Sequence, residues 1–201
     1  MSLIGLCGRK RVGKDTFADH IISLKYPSNK YAFASPLKDA CKILFCLTEE
    51  QVDGMLKETV DERWDLSPRK IFQLFGTEIM RDYFPKLIPD TETTLLDESF
   101  WIYRFKLWYS KWRVNNPNKC LMISDVRFQD EVDAIKELGG TVIRIHRNLS
   151  YKKDCHASEM GIDSMKNIDY ELENFSTLEN YKIKIESFYD NLNLDGQTRP
   201  K

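Results

Sequence analysis

The segment Gly8-Arg9-Lys10-Arg11-Val12-Gly13-Lys14-Asp15-Thr16 sets two glycines five positions apart and follows the second with a lysine. That spacing builds a cradle of backbone amides for nucleotide phosphates, with Lys14 as a point charge for the β- and γ-phosphates. Gly13 lets the main chain pass close to phosphate oxygens. The chemistry indicated is binding of ATP, with contacts expected from Gly8, Lys10, Arg11, Val12, Gly13, Lys14, Asp15 and Thr16. Where the usual pattern places a serine or threonine for magnesium, this chain has Asp15, and the hydroxyl follows at Thr16. Asp15 and Thr16 are therefore the candidate Mg²⁺ residues, the carboxylate meeting the metal directly or through water. The plain alternative is a glycine-rich turn with a basic tip and no nucleotide.

Two further groupings carry chemistry. Leu121-Met122-Ile123-Ser124-Asp125-Val126-Arg127 is an apolar run ending in an acid and, two residues on, a guanidinium. In phosphoryl transfer an acid there holds the metal shell or meets the acceptor, and Arg127 bridges phosphates and stabilises the transferring charge. Lys14, Asp125 and Arg127 are the candidate catalytic residues. The bland reading of Asp125 and Arg127 is a strand-end salt bridge. Phe33-Ala34-Ser35-Pro36-Leu37-Lys38 places Lys38 one turn inside a helix start, where free amides and an ammonium suit an acceptor phosphate. A solvated surface lysine is its alternative. Arg69 and Lys70 follow another helix start and Arg81 lies three turns on, so at least one arginine is expected to point inward.

These residues need elements to hold them. Ser2 to Cys7 reads as a buried strand and Thr16 to Ile22 as an amphipathic helix, which puts strand, glycine loop and helix in the order a phosphate site requires. Lys30 to Ala34 is expected as a second strand, with Ser35 as N-cap and Pro36 first in a helix to Leu47. Thr48-Glu49-Glu50-Gln51 is a capping box, and Ser67-Pro68 opens a helix carrying Ile71, Phe72, Leu74, Phe75 and Ile79 inward. The aromatics from Glu98 to Trp112 predict a helix buried on more than one side. Lys119 to Ser124 is a strand, Gln129 to Leu138 a helix stopped by Gly139-Gly140, and Thr141 to Ile145 the next strand. A last strand at Asp169 to Leu172 precedes a second capping box, Ser176-Thr177-Leu178-Glu179, and a helix through Tyr189. The tail from Asn193 is expected to fray. Strands alternating with helices imply an α/β fold, a parallel sheet covered on both faces with sites at the strand carboxyl ends.

The chain of 201 residues, 42% hydrophobic, holds no Pro/Gly/Ser-rich linker, and one domain spanning 1–201 is expected. A formal net charge of −1 offers no global attraction for polymeric nucleic acid or anionic lipid. Five cysteines, none in a CxxC pair and three in apolar stretches, read as reduced thiols. His20, His146 and His156 lack ligand spacing for zinc. No apolar run is long enough for a signal or membrane helix, which points to a cytoplasmic protein, host cytoplasm if the source is viral. Asn118-Lys119 is followed by Cys120 and Leu121 rather than by a guanine-reading Asn-Lys-x-Asp, so a GTP switch is not indicated.

The glycine loop, Phe33 to Lys38, Val60-Asp61-Glu62-Arg63-Trp64 with Ser67-Pro68-Arg69, Phe75-Gly76-Thr77-Glu78 with Arg81, Asp125-Val126-Arg127 and His156-Ala157-Ser158-Glu159 together resemble the deoxynucleoside monophosphate kinases of phages and large DNA viruses. The resemblance spans nearly the whole chain. It implies a P-loop NTPase three-layer α/β/α fold, nucleoside monophosphate kinase-like, with an acceptor-binding helical region at about 36–115 and a lid at about 146–163. It also implies ATP and Mg²⁺ and a deoxynucleoside 5′-monophosphate acceptor, held by Lys38, Arg69, Trp64, Arg127 and Glu159, with Trp101 as a second base contact. Arg144, Arg147, Lys152, Lys153 and His156 belong to the implied lid region. The protein is expected to act as a monomer or homodimer on a small-molecule substrate. Phosphomevalonate kinases, with a similar GxxGKD loop and an acid-rich segment resembling Ser158 to Asp163, are the runner-up; Trp64 and Trp101 favour a nucleotide acceptor. A non-catalytic nucleotide-binding protein is the third reading.

Overall fold

A computed structural model describes residues 3–87, 99–147 and 161–192. The described chain divides into two compact units, Phe33–Ser110 and the residues on either side of it.

In the flanking unit, β1 (Leu3–Cys7), β2 (Ser28–Tyr31), β3 (Cys120–Val126), β4 (Thr141–His146) and β5 (Tyr170–Glu173) form a sheet in the order β2-β3-β1-β4-β5, every pairing parallel. Strands buried on both faces read as unbroken apolar runs, as β1 does. Ile4, Leu6, Met122, Ile143 and Ile145 pack on one face against Phe17, Ala18 and Ile21 of α1 (Lys14–Ser23) and Tyr181, Ile185 and Tyr189 of a C-terminal helix, Leu178–Asn191. On the other face Ile135, from the helix Gln129–Glu137, lies over Gly5, where a Cβ would come within 2.6 Å of its Cδ1. The sheet is thus the middle layer of an α/β/α sandwich.

The Phe33–Ser110 unit is helical. It contains α2 (Ser35–Leu44), α3 (Glu49–Val52), α4 (Pro68–Gln73) with its continuation Leu74–Tyr83, α5 (Phe84–Leu87) and most of α6 (Phe100–Asn115). Leu37, Cys41, Leu47, Val52, Ile71 and Phe72 make its core. Later α-helices among the described residues are α7 (Gln129–Glu137) and α8 (Leu178–Asn191).

The capping box at Thr48 and the cap at Ser67, which accepts from the Lys70 amide, are present as expected. Several boundaries differ. The second strand ends at Tyr31, and α2 has Ala34 as N-cap with no side-chain cap from Ser35. Thr177, not Ser176, caps α8, accepting from Asn180 and leaving Glu179 at the second helical position, outside a capping box. Beyond Gln73 the chain follows a π-helix, whose i→i+5 repeat rotates the apolar stripe; Leu74 and Ile79 consequently face solvent. Only Ile102, Phe105 and Tyr109 of α6 are buried, a single stripe. The tail from residue 193 lies outside the described residues.

Candidate active site

The loop between β1 and α1 is shaped by residues few other side chains could replace. Gly8 has φ +139°, and a Cβ there would stand 2.5 Å from the Ile145 carbonyl oxygen; Gly13 has φ +110°, and a Cβ would stand 2.7 Å from Asn174 Nδ2. Arg11 also takes a positive φ, 64°. Lys14, 6% exposed, curls back so that Nζ donates to the carbonyls of Gly8 at 2.7 Å and Arg9 at 2.9 Å. This confines a positive charge at the centre of the loop.

Two groups brace the loop from the sheet side. Asn174, buried after β5, donates to the Val12 carbonyl at 2.8 Å, and the Tyr181 hydroxyl of α8 donates to that of Gly13 at 3.3 Å. A trans peptide points its C=O and the following N–H in opposite directions, so these bonds aim the Gly13 and Lys14 amides away from the support. Burial pushes the Tyr181 phenol up, so it remains a donor. Arg9 pairs with Asp163.

Asp15 begins α1 beside Lys14. Partial desolvation raises its pKa, but hydrogen bonds from Lys30 and Ser124 and the charges of Lys30 and Lys14 outweigh this and hold the carboxyl below its ordinary value. An ionised carboxylate with the half-buried Thr16 hydroxyl gives hard oxygen donors, which fit Mg²⁺ shared with nucleotide phosphates. Among the described residues no cluster of three or more His, Cys, Asp or Glu is arranged for a metal by itself.

Asp125 lies inside β3, not beyond it. The β1–β3 register runs Gly5↔Ile123 and then Cys7↔Val126, so β3 carries one extra residue, a bulge at Ser124 and Asp125. Such bulges re-aim side chains at strand ends. Here Ser124 turns to Asp15. The half-buried Arg127 follows, its amide donating to Glu131 Oε2 at 2.7 Å and that of Phe128 to the same oxygen at 3.1 Å. Glu131 is 3% exposed and serves as the clamp of this turn. A cavity of about 480 Å³ opens beside Arg127, bordered by Phe128, Gln129 and Lys166.

The helical unit holds the other expected acceptor residues. Lys38 is paired with Asp53, and Arg69 and Arg81 are half-buried while Lys70 is exposed. Trp64 packs edge-on against Phe45 and donates its indole N–H to the Phe45 carbonyl at 2.9 Å. Trp101 donates to the Gly76 carbonyl at 2.8 Å. Both indole N–H groups thus serve the fold. Asp61 of the Val60–Trp64 motif receives Arg63 and Gln51. Arg144 lies within β4 and donates to the Met165 carbonyl at 2.6 Å, and Arg147 is exposed. Lys152, Lys153, His156 and Glu159 lie outside the described residues.

Lys30, Ser124, Glu131, Asn174 and Tyr181 were not singled out by the sequence. Glu131 had a local signal, a glutamate at the third position of an amphipathic helix, hidden because Phe128 precedes it where a capping box has Ser or Thr. Asn174 and Tyr181 act across more than 150 positions, which no local pattern encodes.

Among the described residues no helix is long and apolar enough to cross a membrane. Cys7, Cys41, Cys46 and Cys120 are free thiols.

A family model described as deoxynucleotide monophosphate kinase matches residues 2–65 and 44–185. A protein of Acanthamoeba polyphaga mimivirus named deoxynucleotide monophosphate kinase is 43% identical over 194 residues, covering 95% of this chain and 97% of that protein. The deoxynucleotide monophosphate kinase of Enterobacteria phage T4 is 24% identical over 253 residues, covering 93% and 98%. The deoxynucleoside-5'-monophosphate kinase of Escherichia phage T5 is 25% identical over 257 residues, covering 94% and 96%.

Proposed function

The chain belongs to the deoxynucleotide monophosphate kinase family, and from that premise we propose that it transfers the γ-phosphoryl group of ATP to the 5′-phosphate of a deoxynucleoside monophosphate. The observation that carries this reading is the braced loop at Gly8–Thr16, with Lys14 held at its centre. An oxygen of the acceptor phosphate attacks the γ-phosphorus, the bond from the γ-phosphorus to the β–γ bridging oxygen breaks, and ADP departs. An acceptor phosphate is already an adequate nucleophile, so the protein's task is positioning and charge neutralisation.

Lys14 exchanges its carbonyl partners for phosphate oxygens, while the Gly13 and Lys14 amides, aimed by Asn174 and Tyr181, receive the anion. Arg127, on the turn clamped by Glu131, neutralises charge that builds on the transferring group. Asp15 and Thr16 would hold Mg²⁺, which would supply charge neutralisation for the nucleotide phosphates, and Asp125 would support those residues. Lys38, Arg69 and Arg127 are the proposed acceptor residues; Trp64 contributes through its ring, which is 41% exposed. Residues 36–115 then act as the acceptor-binding region and residues 146–163 as the lid, with Glu159 and the basic residues there meeting the nucleotides. A small-molecule substrate and a cytoplasmic site of action complete the proposal.

ADP release measured with each of the four deoxynucleoside monophosphates, with ribonucleotides and with phosphomevalonate tests it. Turnover is expected with at least one deoxynucleotide. Turnover with phosphomevalonate alone, or ATP binding with no turnover on any monophosphate, overturns it. Lys14→Ala and Arg127→Ala should each lower kcat on the order of 100-fold; near-wild-type turnover in either removes that residue from the mechanism.

A further inference from the structure

Asp15 stands where a neutral hydroxyl is usual, and a carboxylate beside Lys14 sets a negative charge at a site built for a polyanion. The surroundings of Asp15 show how that charge is met. Lys30 Nζ lies 2.8 Å from Asp15 Oδ1 and 3.0 Å from Asp19 Oδ1. Ser124, in the bulge of β3, is among the groups that hold the Asp15 carboxyl below its ordinary value. Lys30 is opposite Met122 in the β2–β3 register, and Met122 packs on the α1 side of the sheet, so strand alternation directs the ammonium to α1. The first turn of α1 and the end of β2 therefore meet at one carboxylate.

We propose that Lys30 is a positioning residue for phosphoryl transfer, a fixed counter-charge that neutralises Asp15 and holds its carboxylate in place so that the loop accepts a polyanion despite its acid. The inference deepens the reading of Gly8–Thr16 as an ATP site and rests on it. Lys30 itself touches neither nucleotide nor acceptor; it acts through Asp15. Because it acts through charge, its loss has opposite effects on ligands of opposite sign. Metal-free ATP meets an uncompensated carboxylate and binds more weakly. A divalent cation meets a carboxylate relieved of its ammonium and binds more tightly. An ion pair that only fastened β2 to α1 would, when broken, loosen the site for both.

The test uses the full chain in two equilibrium titrations at low salt, one with ATP in the presence of EDTA and one with Mn²⁺ followed by electron paramagnetic resonance. Lys30→Met should weaken ATP binding on the order of tenfold and tighten Mn²⁺ binding several-fold. Lys30→Arg should stay near wild type, and adding Asp15→Asn to Lys30→Met should abolish both changes. Lys30→Gln, which keeps a donor without the charge, gives the same reading if Lys30→Met does not fold. Weakening of both ligands, no change in either, or failure of Asp15→Asn to suppress the effects overturns the inference. Wild-type protein that binds no ATP overturns the kinase reading along with it, whereas wild-type binding with an unchanged Lys30→Met overturns the inference alone.

Discussion

Lys14 shows how a single side chain holds a site ready for its ligand. Its ammonium is nearly sealed from water, and two carbonyls of its own loop replace the lost hydration. Positive charge is therefore held at the centre of the loop on carbonyls that give way to an incoming phosphate. The arrangement depends on Gly8, whose φ of +139° brings the chain against β4. Gly8→Ala places a methyl group 2.5 Å from the Ile145 carbonyl oxygen in a backbone conformation alanine resists. It should cost on the order of 1–3 kcal/mol in urea unfolding, and an unchanged midpoint would contradict this account of the loop.

Among the elements, the Val60–Trp64 motif is organised around a buried acid. Hydrogen bonds from Arg63, opposed by desolvation and aided by Gln51, hold the Asp61 carboxyl well below the usual carboxylate range. A depressed pKa stabilises the fold above the unfolded-state value, near 4, and that contribution is lost as pH falls through the folded-state value. Asp61→Asn should therefore unfold more easily than wild type at neutral pH, and the gap between their urea midpoints should narrow steadily as pH drops below about 4. A gap that widens in acid would sink the assignment. The elements whose type was legible from sequence were those with local grammar: the apolar run of β1, the box at Thr48, the Ser67-Pro68 start and the Gly139 stop. In the candidate site the glycine-bearing turn at Gly8 to Thr16 was legible for the same reason. The turn to π geometry after Gln73 was not, because nothing in Leu74-Phe75-Gly76 alone distinguishes a repeat of four from one of five. Neither was the placement of Lys30 beside Asp15, set by β2 pairing with a strand distant in sequence.

At the scale of the whole molecule, each compact unit has its own core, one built on the sheet and one on Leu37, Cys41, Leu47, Val52, Ile71 and Phe72. Ile71, 1% exposed, is a keystone of the second. Ile71→Ala should cost about 2–5 kcal/mol. Native-state hydrogen exchange should place the largest acceleration in α2 and α4, and equal acceleration in β1 and β3 would argue against a separate core. The strand order has its own consequence for how the chain comes into being. β1 is the third strand across the sheet, yet both of its neighbours, β3 and β4, come from the later half of the sequence. During synthesis the strand that leads into the glycine loop emerges before both of them and waits for its partners until residues 120–146 have left the ribosome. Ordering that segment early requires closing a long stretch of intervening chain, and the entropy of that closure makes the central pairing a late event in folding.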